Sequence, residues 1–402
     1  MKFKIFYCFF FIVSLFYSPV MLFGPVSVRH LLAIVMLVIC YAEGTKVDNF
    51  LKWYFVFLFF CMVSALSTGY GETFFNKLLG TYLAAIVLYI STKIMIVKYR
   101  AQKWVVNVVL AVACFNSVVA IAQFYQVQFA TFIPSLLGIQ LEADMIEYYE
   151  QYEDFHGRYV GGLLGVVNSG YFLSASCVLS LCTSTDKTKI WNWAIFLLNF
   201  YALYLVQQRA GFFIGVMCAA LYVIITMSRN RKEMFSYLTV LLLAVVLIGY
   251  YGTQVFSFDE MRYSTQGLVD DRRDTYADKG WQYFWLNPLG GIYAFRAAGN
   301  IDPHSLFVNA MLYGGLFGGV LILAYILYQL VLVSKVMIRT FRSNKYSSIL
   351  LAFSLAYLCY TLSSLFHNSS LVYGEAMFFL LWGGVAALLE VEDRKIIDIK
   401  NV

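Results

Sequence analysis

An arginine stands between two apolar runs in "LVQQRAGFF", where almost no loop separates the runs and Arg209 marks the boundary. An arginine at membrane depth is costly and therefore rarely idle. Its planar guanidinium binds phosphate or carboxylate through two hydrogen bonds. Gln207 and Gln208 precede it and indicate a polar cleft that holds the guanidinium. We predict that Arg209 binds an anionic group, the alternative being a side chain that reaches to the lipid headgroups.

A histidine occupies a comparable place in "DPHSLFVNAMLYGGLFGG", where Pro303 and His304 lead into an apolar helix. A histidine can accept a proton at physiological pH and so serve as a general base. The alternative is a histidine that only caps the helix boundary. The glycine pairs Gly314–Gly318 and Gly315–Gly319 follow at a spacing that predicts close helix packing.

The composition shows which kind of protein must position these residues. Of the 402 residues, 61% are hydrophobic and only 13% are charged, whereas soluble domains are near half apolar and a quarter charged. We predict an all-α, polytopic membrane protein in which residues 1–402 form a single integral membrane domain. Runs near the 20 or so apolar residues that cross a bilayer predict twelve spans, at 5–23, 31–43, 50–68, 78–97, 104–125, 160–182, 190–206, 209–227, 235–252, 305–334, 347–366 and 371–390.

Basic residues orient these spans. Most of the 29 Lys and Arg fall in cytoplasmic loops when both termini are placed in the cytoplasm. The net charge of +6 is therefore a topology signal, and no nucleic acid is expected as a partner. Two long outer loops result, 126–159 and 252–303, and long loops are usually functional or disordered. Thr275–Leu286 in the second loop reads as an amphipathic helix at the water–lipid boundary.

The outer face that results is rich in arginine and histidine, as expected of an active site that faces outward. A solvated outer face is the alternative. The eight cysteines fall within or at the ends of spans, with no disulfide framework and no metal-ligand spacing. The outer arginines are Arg29, Arg158, Arg209, Arg262, Arg272, Arg273 and Arg296.

Four segments, in this order, resemble the O-antigen polymerase and O-antigen ligase superfamily of polytopic membrane glycosyltransferases. They are "RYVGGLLGVVNSG", "QQRAGFFIG", "RRDTYADKGWQYFWLNPLGGIYAF" and "PHSLFVNAMLYGGLFGG". Each is short, so the ordered set carries the resemblance. Ser305 follows the histidine where many members carry Asn, and the glycine turn reads Gly290-Gly291-Ile292 rather than Gly-x-Gly.

The resemblance implies a glycosyltransferase C-like fold in the bacterial inner membrane, with a periplasmic active site and no required metal or other cofactor. The implied partners are an undecaprenyl-diphosphate-linked glycan donor and acceptor, membrane lipid and a chain-length regulator protein. His304 would serve as the base and Arg209 and Arg273 would stabilise the leaving diphosphate. The residues expected to help bind substrate are Arg158, Arg272, Arg296 and Gln208.

The sequence leaves several functions open. A polymerase joins lipid-linked repeat units, whereas a ligase transfers the glycan to the anionic lipid A-core. Ser305 and the acidic, Tyr-rich segment 142–159, which would repel that core, favour a polymerase. A transporter of the same lipid-linked sugar is the non-enzyme alternative, although no internal repeat is visible. A glycosidase-like carboxylate pair among Asp270, Asp271 and Asp274 lacks a well-placed second member.

Overall fold

The computed structural model describes residues 2–16, 21–23, 26–127, 130, 160–183, 188–227, 239, 242–243, 271–303, 305–343, 347–365 and 371–400. Within these ranges one short antiparallel pair, β1 (Met21–Phe23) and β2 (Val26–Ser27), accompanies an otherwise helical chain. The predicted all-α class is confirmed.

The first half of the chain folds into helices joined by short turns. A π-helical turn, Leu78–Tyr82, joins two of them into one continuous helix from Gly71 to Val97. The helices are α1 Lys2–Leu15, α2 Val28–Ala42, α3 Asn49–Ser67, α4 Gly71–Lys77, α5 Leu83–Val97 and α6 Gln102–Phe124.

The second half contains the long bent helix α12, which departs from helical geometry at Gly315. A 3-10 turn, Leu371–Tyr373, precedes the last helix. The helices are α7 Val166–Cys182, α8 Lys189–Val206, α9 Arg209–Met227, α10 Asp271–Leu286, α11 Ile292–Ala297, α12 Leu306–Ser343, α13 Ser348–Ser364 and α14 Ala376–Lys400.

The helices support a membrane-embedded protein. Among the described residues five helices are long and apolar enough to cross a bilayer: Asn49–Ser67, Gly71–Val97, Gln102–Phe124, Lys189–Val206 and Leu306–Arg342. Four shorter apolar helices accompany them. The full set of twelve spans stays a prediction. The ninth, 235–252, and the first outer loop, 126–159, fall almost entirely outside the described residues.

Several predicted span boundaries were wrong. The first helix ends at Leu15 instead of continuing to 23, because Met21–Phe23 pairs as a strand and Pro19 cannot continue a helix. The helix of the sixth predicted span, α7, begins at Val166 rather than 160, after a glycine-rich turn. The last begins at Ala376 rather than 371 and runs on to Lys400.

Small residues let the central helices approach closely. A Cβ at Gly383 of α14 would lie 3.0 Å from the Tyr89 carbonyl of α5, and one at Gly384 would overlap the Phe353 ring of α13. A side chain at either position would push the neighbouring helix away. The last helix therefore packs between α5 and α13, at the centre of a large aromatic core.

Charged groups gather at two opposite ends of the bundle. Lys93 binds Asp48 at 2.6 Å and Lys98 binds Glu43 at 2.6 Å. Lys77 lies on the same continuous helix as Lys93, about 24 Å away by the helical rise. At that opposite end it contacts Tyr313, which belongs to a second cluster of polar residues. The loop that contains Glu43 and Asp48 and the end of α5 thus lie at the same end of the bundle, as expected if successive spans cross the membrane in opposite directions. Which side of the membrane each end faces stays a prediction.

Candidate functional site

The second polar group is centred on the ion pair between Arg296 of α11 and Asp302. Arg296 donates from Nε to Asp302 Oδ1 at 2.6 Å and from Nη2 to Oδ2. Tyr373 donates to the same carboxylate at 3.0 Å. Burial opposes the charge on Arg296, but the hydrogen bond to Asp302 and the electrostatic interactions with Asp302, Tyr313 and Tyr373 together outweigh it, so the pKa of Arg296 lies above its usual value. The pair fixes the loop that leads into His304.

Lys77 of α4 belongs to the same cluster, and its amine is surrounded by aromatic rings. Its Nζ donates to the Tyr313 hydroxyl at 2.7 Å and lies 4.4 Å from the Tyr313 ring centroid and 4.8 Å from that of Tyr373. Arg296 Nη2 donates to the same hydroxyl at 3.0 Å. Two basic side chains therefore converge on one buried phenol oxygen, and the Lys77 amine lies over the surrounding aromatic rings.

A path of aromatic and acidic side chains leads from this group to α7. Tyr360 of α13 donates to Glu375 Oε2 at 3.2 Å, and Glu375 lies two residues after Tyr373. The Tyr360 ring also meets the Tyr171 ring edge-on, with centroids 6.0 Å apart. The start of α7 and the Arg296–Asp302 pair thus lie at the same end of the bundle.

The segment "NPLGG" forms a turn that is built into a break of α12. Gly315 adopts φ 63° and ψ −170°, which interrupts the helical hydrogen bonds. Gly291 N donates to Leu312 O at 2.8 Å, and Leu316 N donates to Pro288 O at 2.9 Å. The turn therefore satisfies backbone groups that the break exposes, as buried backbone requires.

Helix α10 packs directly against the segment that carries His304. A Cβ at Gly280 would lie 2.6 Å from both Pro303 Cγ and Val308 Cγ1, so only glycine permits this approach. Asn309 Nδ2 donates to the Pro303 carbonyl at 2.5 Å. Arg273 lies in the first turn of α10, about 10 Å along the helix from Gly280. The backbone of Arg273 therefore lies about two helical turns before the contact with Pro303.

Glycines join the start of α9 to α7 in the same way. A Cβ at Gly211 would lie 2.9 Å from Gly170 O, and one at Gly170 would lie 2.5 Å from Gln208 Cβ. Gln208 is buried, and its Oε1 accepts from Gly211 N. Gln207 before it takes a left-handed conformation, φ 54°, which ends α8 and turns the chain into α9 at Arg209.

Polar side chains of α6 hold the glycine turn at 160–165. Gln123 Oε1 accepts from Gly161 N at 3.0 Å and from Gly162 N at 2.7 Å, while its Nε2 donates to Gly162 O at 3.0 Å. Asn116 Oδ1 accepts from Leu163 N at 2.7 Å. All of these groups are buried, so their hydrogen bonds set the path of the chain that follows Arg158.

The structure covers some predicted site residues completely, others only in their backbone, and two not at all. His304 and Arg158 lie outside the described residues. The backbones of Arg209, Arg272 and Arg273 begin α9 and α10, and their side chains lie outside the description. Only Arg296 and Gln208 are described in full, and both bind other protein groups. Their substrate-binding roles stay predictions.

Sequence reasoning missed Lys77, Asp302, Tyr313 and Glu375. Lys77 stands next to the predicted start of the fourth span, and Asp302 comes two residues before His304. Each therefore carried the signal of a charge at a membrane boundary. Nothing in their spacing connected them, because 236 positions separate Lys77 from Tyr313.

Within the described part of the chain, no three His, Cys, Asp or Glu side chains come together to hold a metal ion. The expectation of a metal-free site stays a prediction. No protein-family model, no curated protein and no solved structure matches this chain significantly.

Breaking the Arg296–Asp302 pair should destabilise the protein more than breaking an exposed pair. The two side chains are 37% and 14% exposed, so Asp302→Ala leaves a partly buried cation without its partner. We expect a coupling energy of about 1.5–3 kcal/mol from a double-mutant cycle of unfolding in detergent. The matched control is Arg394–Glu390, which is 60% and 37% exposed and should give about 1 kcal/mol or less. Equal coupling in the two pairs would contradict this.

Proposed function

We propose that the chain is a membrane-embedded glycosyltransferase that lengthens a surface polysaccharide at the periplasmic face of a bacterial inner membrane. It takes a glycan from undecaprenyl diphosphate and transfers it to a sugar hydroxyl of another lipid-linked unit. The observation that supports the proposal is that the four motif segments pack in two pairs. The segment that ends at Gly170 lies against the one that begins at Gln207, and the segment that contains Gly280 lies against the one that begins at Pro303. Tyr171, Tyr360 and Glu375 link the two pairs.

Arginine supplies the electrostatic part of the mechanism. Arg209 and Arg273, with Arg158 or Arg272 as helpers, bind the diphosphate and stabilise the negative charge that grows as it leaves. Gln207 Oε1 supports this role for Arg209, because it is buried, has no donor among the described residues and lies two positions away. It can accept a hydrogen bond from the guanidinium and so orient it.

His304 supplies the proton transfer. It takes the proton from the acceptor hydroxyl, whose oxygen attacks the anomeric carbon as the bond to the diphosphate oxygen breaks. The bonding electron pair leaves with the diphosphate, and direct displacement inverts the anomeric centre. The Arg296–Asp302 pair fixes the backbone before His304, and Gly280 lies against Pro303 before it and Val308 after it. Such support keeps a base within reach of its substrate.

A transporter of the same lipid-linked sugar is the second candidate, and the break in α12 at Gly315 favours it. Discontinuous helices line the substrate sites of many transporters. In this chain the break is filled by the turn at Pro288–Gly291, which bonds the exposed backbone groups. That arrangement suits a fixed scaffold better than a moving gate, so we favour the enzyme.

A deletion strain separates a polymerase from a ligase. Because both use the same donor, they differ only in the product that is lost. Without a polymerase, the lipopolysaccharide on a gel should show core capped by a single repeat unit and no ladder. Bare core, with long polymer accumulating on the lipid carrier, would contradict the polymerase and leave the donor chemistry intact. Re-expression of the intact chain should restore the ladder.

A further inference from the structure

A lateral cavity of about 520 Å³ lies at the bundle end opposite the proposed site, between α3, α12 and α14. Its volume falls in the range of small-molecule sites. Buried rings of Phe50, Tyr89, Tyr325 and Trp382 line it, with Asp48 at one edge. Asp48 binds Lys93, which places this edge at the charged end of the bundle.

The packing of α3 against α12 explains why the cavity exists. At Gly318 a Cβ would lie 2.6 Å from Phe60 Cβ, so the two helices nearly touch. Seven residues further along each helix, the rings of Trp53 and Tyr325 stand between them, with centroids 6.4 Å apart. Large side chains thus hold α3 and α12 apart towards the charged end of the bundle. The cavity between them is a wedge that opens to the side of the bundle.

The rim of the wedge faces outward from the bundle. Trp53 is 47% exposed and Tyr328 is 56% exposed, and both line the cavity. In a bilayer these surfaces meet hydrocarbon. An apolar void there forfeits dispersion contacts unless an apolar chain fills it. The wedge therefore suits one acyl chain that enters from the surrounding leaflet.

A basic residue continues the cavity-lining face of α12 beyond the wedge. Leu321, Tyr325, Tyr328 and Leu332 line the cavity at helical spacing, and Lys335 follows one turn later on the same face, exposed. Two acids near the cavity are paired, since Asp48 binds Lys93 and Glu390 binds Arg394. The positive charge of the exposed Lys335 suits a phosphate headgroup.

We infer that this wedge binds an anionic diacyl phospholipid, with one acyl chain on the aromatic floor and the phosphate against Lys335. The inference is independent of the proposed catalytic activity, because it uses the other end of the bundle and none of the proposed site residues. A bound lipid would also brace α3 against α12 where they are held apart.

Native mass spectrometry of the full chain, purified in detergent with phosphatidylglycerol and phosphatidylethanolamine in equal amounts, tests the inference. We expect retained phosphatidylglycerol on the native protein. Ala324 lines the wedge, and Ala324→Trp should reduce retention by about tenfold, or about 1.4 kcal/mol. Val331→Trp is the matched control, because Val331 is 45% exposed on α12 and does not line the cavity.

The headgroup is tested separately. Lys335→Gln should keep a bound phospholipid but lose the preference for phosphatidylglycerol. Equal retention by Ala324→Trp and Val331→Trp would overturn the inference. So would recovery of a polyprenyl lipid in place of a diacyl phospholipid, or a native protein that binds the two phospholipids equally.

Discussion

Replacing Arg209, Arg273 or His304 with alanine is expected to abolish most glycan transfer while the protein inserts at normal levels. In the proposed mechanism each arginine contributes a charge-assisted contact to the diphosphate, which is worth about 1.5–3 kcal/mol. The loss in rate is larger where the contact strengthens in the transition state. Arg209→Lys and Arg273→Lys should restore only part of the activity, because a point charge replaces a planar fork. Transfer is measured as lipopolysaccharide ladder length in a complemented deletion strain.

The matched control is Arg394→Ala, at the opposite end of the bundle. Arg394 is 60% exposed and pairs with Glu390, so its loss should leave the ladder unchanged. Ladders of normal length from His304→Ala would remove its role as the base. Full rescue by lysine at position 209 would instead argue that Arg209 only orients the helix in the membrane.

Gly315→Ala is expected to cause the largest loss of folded protein of any single methyl addition in α12. Gly315 has φ 63°, and a Cβ there would lie 2.6 Å from Leu289 O and 2.7 Å from Leu289 C. The backbone cannot yield without breaking the bonds between the turn and the helix. Strain of this type costs about 1–3 kcal/mol before the clash is counted. Fluorescence-detected size-exclusion chromatography after heating reports the loss.

Gly299→Ala separates the clash from the backbone strain. Gly299 also has a positive φ, 77°, yet no described atom lies within 4 Å of a Cβ placed there. Gly299→Ala should therefore lower the free energy of unfolding only by the cost of the strained backbone conformation, without the added cost of a clash. Equal behaviour of the two variants would show that the turn at Pro288–Gly291 does not depend on close contact with α12.

The helical class and most helix positions could be predicted from the sequence, because apolar runs near the bilayer thickness leave few alternatives. The amphipathic helix predicted at Thr275–Leu286 is present and begins earlier, at Asp271. Trp281 and Trp285 stack with centroids 6.4 Å apart, and Trp285 is exposed, as an interfacial helix requires.

The break in α12 was beyond such reasoning. The glycine pairs of α12 predicted close packing, and Gly318 does approach Phe60. The pattern did not distinguish a continuous helix from one interrupted at Gly315, since that depends on Pro288–Gly291 bonding to the exposed backbone. Contacts between segments that are distant in the sequence produce no local pattern of residues. The convergence of Lys77 and Arg296 on Tyr313 has the same cause.

The most direct test of the central claim is transfer by the purified chain in liposomes that contain only undecaprenyl-diphosphate-linked repeat units. Mass spectrometry of the extracted lipids follows the products. The proposed mechanism predicts lipid-linked oligomers of two or more units, with free undecaprenyl diphosphate released in step, and neither product from Arg209→Ala. Movement of intact lipid-linked units across the bilayer, with no bond cleaved and no oligomer formed, would contradict it and identify a transporter.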